Sequence, residues 1–143
     1  MRVLVDTNLF IAYLLKPRND SLINHLLTAV LEGRVTLLMP EALLEEIEQT
    51  IKRKPYLINA ITEDKPHRFL LLLRAVCEEI PLIVETIPRI TRCPQDDYLI
   101  AYAVVGQANY LVSGDKDLLV LGTAGAVTIL NSKQFRQLLR TQK

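Results

Sequence analysis

A chain of 143 residues that is half apolar and 23% charged has ample material for a core, which excludes global disorder. Its formal net charge of +1 gives no ground for a strong, nonspecific attraction to nucleic acid, and its two unpatterned cysteines exclude a disulfide framework or a Cys/His zinc site. No Pro/Gly/Ser-rich linker divides it, so one domain over residues 1–143 is expected.

In chain order, the first element is the strand-like run RVLV from Arg2, which ends abruptly in Asp6, Thr7 and Asn8. Helical periodicity runs from Ser21 to Leu31, with Gly33 as its stop. A second strand, VTLLM from Val35, precedes PEALLEEIEQTI, where Leu43, Leu44, Ile47 and Ile51 form one apolar helical stripe. A further helix is expected from His67 to Glu79, then a strand in LIVET from Leu82 and a helix from Asp97 to Val105. NYLVS from Asn109 and VTIL from Val127 are the last strand candidates. The chain closes on an amphipathic helix from Ser132 that carries Phe135, Leu138 and Leu139.

The strand runs are almost continuously apolar, which suits strands covered on both faces of a parallel sheet. Strands alternating with helices therefore predict a three-layer α/β domain. No apolar run reaches the roughly 20 residues of a membrane-spanning helix, and no basic leader precedes the first strand, so a cytoplasmic protein without a membrane segment is expected. Cys77 reads as a core residue. Local basic patches remain at Lys52, Arg53 and Lys54, and at Arg89 and Arg92.

In a parallel α/β sheet, ligands bind beyond the carboxyl ends of the strands. Asp6 follows the first strand and Asp115 follows NYLVS, so both belong at that edge, with Asp117 close behind. Asp97 opens a helix after RCPQD, where the positive end of the helix dipole favours its ionised form. A helix packed beside the first strand brings Asp97 towards Asp6 and Asp115. Continued backwards, the same helix places Asp96 over the apolar stripe, a conflict that an N-cap role removes. A fourth acid comes from EALLEEIEQ, where Glu45 points farthest from the stripe and Glu46 and Glu48 flank it. Converging carboxylates repel one another unless a cation neutralises them, and Mg2+ or Mn2+ suits an all-oxygen site.

LVDTNLF, LLEEIEQTI, CPQDDYLIAYA and YLVSGDKDLL occur in the order and spacing of the PIN domain, which the chain resembles from Arg2 to the closing ILNSKQFRQLL. The resemblance implies a Rossmann-like α/β/α sandwich with a central, mainly parallel sheet, and a metal-dependent endoribonuclease. It assigns metal and catalytic roles to Asp6, Glu46, Asp97 and Asp115, an auxiliary metal role to Asp117, and supporting roles to Asn8 and Ser113. It also implies the toxin of a toxin–antitoxin pair, with an RNA substrate, a cognate antitoxin and a symmetric homodimer. Related sequences often carry an acid where this chain has Cys93.

Blander readings stand beside these. Asp6 alone is a helix cap, Asp115 and Asp117 alone belong to a turn at Gly114, and His25 and His67 have no motif around them. Tyr98 and Tyr102, one helical turn apart, pack in the core or at a rim, or stack on bases. The rival functions are a catalytically silent RNA-binding or regulatory module and, last, a phosphoacceptor domain.

Overall fold

The structure, a computed structural model, describes residues 1–15, 21–53 and 65–141. Strand β1 (Arg2–Val5) leads into helices α1 (Thr7–Leu15) and α2 (Leu22–Leu31) and then β2 (Thr36–Pro40). Helices α3 (Glu41–Arg53) and α4 (Lys65–Val76) precede β3 (Glu78–Ile80). Helix α5 (Pro94–Val105), β4 (Tyr110–Val112), the short α6 (Lys116–Leu119), β5 (Thr123–Ala124), β6 (Val127–Leu130) and α7 (Ser132–Thr141) complete the order.

The six strands form one sheet in the order β3-β2-β1-β4-β6-β5, parallel except for the β5–β6 pair. Val3, Leu4 and Val5 of β1 and Leu37, Leu38 and Met39 of β2 are wholly buried, so helices cover both faces of the central strands. Burial of each such side chain contributes about 1.5–3 kcal/mol, which is why these runs are apolar without alternation. Helix α2 packs against α7, and α3 against α1 and α4. Among the described residues, no helix is long and apolar enough to cross a membrane.

The chain adds β2 and β3 on one side of β1, then returns to place β4 on the other side. Connections leaving the carboxyl ends of β1 and β4 therefore diverge, and a crevice opens between them.

Three elements differ from the sequence expectation. The fourth helix ends at Val76, and the strand expected in LIVET lies earlier, at Glu78–Ile80. Ile80 pairs with Pro40, the last residue of β2, and Pro81 then supplies no N–H to continue the ladder. Leu82 and Val84 are consequently exposed. Cys77 is half-buried against the core rather than within it. Helix α5 starts at Pro94, three residues before the expected Asp97, because Cys93 adopts the extended N-cap conformation and proline's fixed φ suits the first helical position. Lys54 and the side chains of Ile51, Arg53 and His67 lie outside the described residues.

Candidate metal centre

The crevice at the β1/β4 switch point is a cleft of about 270 Å³ whose lining includes Asp6, Glu46, Cys93, Asp96, Tyr98 and Asp115. Each acid arrives on a different element. Asp6 directly follows β1, and its buried carboxylate accepts from the Asn8 backbone N–H at 3.1 Å and from the Ser113 hydroxyl at 2.8 Å. Ser113, wholly buried after β4, also accepts from the Asp115 N–H at 3.0 Å. One hydroxyl thus ties the two strand ends together and aims both acids into the cleft.

Ser113→Ala leaves an Asp6 oxygen without its donor and the Asp115 N–H without its acceptor. The expected result is a loss of about 1–3 kcal/mol in urea unfolding, the usual cost of an unmet buried polar group. Stability equal to the unaltered protein would mean that the hydroxyl holds neither group in place.

Asp115 caps α6, its carboxylate accepting from the Asp117 N–H at 2.9 Å, so cap and cleft roles coexist. Asp117 receives the Arg92 guanidinium at 2.7 Å. Helix α3 sets its glutamates in different surroundings. Glu46 lines the cleft, Glu45 is exposed, and Glu48 pairs with Lys52 at 3.2 Å.

The two aspartates of α5 do not stand where the sequence put them. Asp96 is the residue that the structure brings to Asp6, Glu46 and Asp115, and it is 4% exposed. Its Oδ2 is buried without a hydrogen-bond partner. Asp97, 2% exposed, turns away from the cleft. Its Oδ1 accepts from the N–H groups of Ile90 (3.1 Å) and Thr91 (2.8 Å) and from the Thr91 hydroxyl (3.0 Å), while Arg89 stands 3.5 Å from its Oδ2. Asp97 therefore pins the loop that leads into α5. The register slip has a physical cause. With the cap at Cys93, Asp96 falls in the first turn above Leu99, Ile100 and Ala103, and the stripe that faces the sheet also faces the cleft.

The electrostatics of the pair match their positions. Burial, a hydrogen bond shared with Asp115, and the charges of Asp115, Asp6 and Asp117 push the Asp96 carboxyl up to about 6. Burial also pushes Asp97 up, but the bonds from Thr91 and Ile90 and the Arg89 charge outweigh it and hold the carboxyl below its ordinary value.

Asp96, Asp115 and Asp117 each offer an oxygen, all within 4.8 Å of one another. This donor set fits a hard divalent cation. Beside it, the buried Asp96 Oδ2 and Thr7 Oγ1 lack partners, and Thr7 lines the same cleft. An uncompensated cluster of this kind is what a bound cation resolves.

A doubly covered, mainly parallel sheet with acids gathered at its switch point defines the class of protein. A family profile described as PIN domain matches residues 2–117, and the chain belongs to the PIN-domain family. Among solved structures, it resembles a chain of VapBC2 from Rickettsia felis bound to a DNA fragment from their promoter, with a TM-score of 0.59 at 14% identity, covering 92% of this chain and 98% of that one. It also resembles the PIN domain of human SMG5, with a TM-score of 0.53 at 12% identity, covering 96% of this chain and 99% of that one. No curated protein matches the sequence. At such identities the likeness shows the fold.

Proposed function

We propose that the protein is a Mg2+- or Mn2+-dependent endoribonuclease that cleaves RNA phosphodiester bonds. The observation that carries this reading is the convergence of Asp6, Glu46, Asp96 and Asp115 on one cleft, with a buried Asp96 oxygen that no protein group satisfies. Asp96, Asp115 and Asp117 would hold the ion, with Asp6 and Glu46 on neighbouring walls. Bound there, a divalent cation supplies Lewis acidity towards phosphate oxygens and water.

The chain's own groups have separable tasks. Ser113 and the Asn8 N–H fix the Asp6 carboxylate, so its negative charge is preorganised before any ligand arrives. Asp96 gives up a proton to become a ligand, because its crowded carboxyl retains one up to about pH 6. Asp97 keeps the Ile90–Thr91 backbone against the start of α5.

The toxin of a toxin–antitoxin pair is the biological role this reading favours, with a cognate antitoxin as partner, a homodimer as assembly and the cytoplasm as location. Family membership and the VapBC2 neighbour support it. The alternative is a silent RNA-binding or regulatory module, favoured by Cys93. This half-buried cleft residue makes no side-chain capping bond where related sequences often carry an acid.

The deciding experiment incubates purified protein with single-stranded RNA in Mg2+ or Mn2+, in EDTA, and with Asp96→Asn in parallel. Cleavage that EDTA and the substitution both abolish is the expected result. A folded, ion-binding protein that leaves RNA intact would favour the silent module.

A further inference from the structure

Among the described residues, Lys116 stands exposed between Asp115 and Asp117 at the cleft. Arg89 and Arg92, which flank the entry to α5, are each committed to an aspartate: Arg89 to Asp97 and Arg92 to Asp117. The formal net charge is only +1, and the cleft itself is acidic. Lys116 can meet a phosphate, but a formal net charge of +1 leaves counterion release a modest part of any affinity for a polyanion. A contact that is not electrostatic adds to that affinity.

Tyr98 provides one. It stands on the rim, lining the cleft on one side and a second hollow of about 300 Å³ on the other. Its side of α5 also carries Tyr102, one turn on, with ring centroids 6.5 Å apart and planes inclined by 21°. Tyr102 is 1% exposed, and its hydroxyl accepts from the Ile83 N–H at 3.2 Å, so the inner ring is fixed. Tyr98 is 49% exposed. The outer ring is thus backed by a rigid one and open to solvent within two residues of Asp96.

We propose that Tyr98 is a base-stacking platform that seats an unpaired nucleobase beside the acidic cleft. The proposal rests on the endoribonuclease reading. A π-face accepts any base, so Tyr98 confers preference for unpaired over paired nucleotides rather than for a sequence. Bases inside a duplex are already stacked on one another and cannot reach it.

The test measures anisotropy of a fluorescent single-stranded oligoribonucleotide in EDTA, so that binding is read without cleavage, for the unaltered protein, Tyr98→Phe and Tyr98→Ala. A version containing 2-aminopurine reports stacking by quenching. Tyr98→Phe is expected to bind and quench like the unaltered protein. Tyr98→Ala is expected to bind about tenfold to a hundredfold more weakly, without quenching, and with no change towards a duplex of the same sequence. Equal binding by Tyr98→Ala, or no binding by any form, overturns the proposal. Cleavage in Mg2+ is scored separately. Cleavage with an unchanged KM in Tyr98→Ala would sink the platform and leave the nuclease standing. Tyr98-dependent binding without cleavage would sink the nuclease and leave the platform.

Discussion

Asp96→Asn is expected to weaken Mn2+ binding by more than about 100-fold, while Asp97→Ala leaves it within a few-fold. The comparison is direct because the residues are adjacent on α5 and nearly equally buried. Loss of an outer partner at a metal centre already costs about 10- to 100-fold, and Asp96 offers the ion a buried oxygen with no other partner. RNA cleavage should fall in parallel. Stability should move the other way: replacing Asp96 removes a negative charge from the group it forms with Asp115 and Asp117, so the ion-free fold becomes more resistant to urea. Asp97→Ala strips the acceptor from two backbone N–H groups and a hydroxyl, so the fold weakens and the Ile90 and Thr91 amides lose protection from hydrogen exchange. Titration calorimetry and exchange on the two variants decide the matter. If Asp97→Ala abolished ion binding and Asp96→Asn preserved it, the register of α5 described above would be wrong.

That register also marks how far the sequence could be read. The strands β1 and β2 declare themselves by continuous apolar runs, and Asp6 follows β1 at a position where any parallel sheet puts its ligands. Glu46 needed more than periodicity, because Glu46 and Glu48 both flank the stripe and only the surroundings separate them: one meets the cleft, the other Lys52. Asp96 was hidden by a sound rule applied to the wrong boundary. An acid over an apolar stripe normally signals a cap, but here Cys93 occupies the N-cap position and the stripe runs into the cleft. The pairing of Asp97 with a loop six and seven residues back, and the bridge from Ser113 to a residue 107 positions away, are tertiary facts that no local pattern encodes. The strand at Glu78–Ile80 was missed for a related reason. An edge strand of three residues with two exposed glutamates lacks the apolar run that LIVET displays.

In EDTA, the protein should lose stability as pH rises from about 4 to 6, opposite to the usual behaviour of a carboxylate held by good partners. Folded Asp96 keeps its proton up to about pH 6, whereas an unfolded aspartate releases it near 3.9. Between those values the native state binds more protons than the unfolded state, so the stability slope with pH is negative. The contribution is fully present below about pH 3.9 and gone above about pH 6. Asp97, held low, acts with the reverse sign. Its stabilisation is present above the ordinary carboxylate range and disappears as pH falls through its depressed value, so it does not offset Asp96 between pH 4 and 6. Adding Mg2+ should change the picture most at pH 7.5, where no proton competes. At 100 times its dissociation constant the ion adds about 2.7 kcal/mol. At pH 5 the competing Asp96 proton weakens binding about tenfold, and the same Mg2+ then adds only about 1.4 kcal/mol. The informative quantity is the difference between the unaltered protein and Asp96→Asn in urea melts at pH 5 and 7.5. The variant should show neither the fall nor the Mg2+ increment. Matching pH and Mg2+ responses in the two proteins would remove Asp96 from the metal centre and with it the cation site on which the proposed cleavage depends.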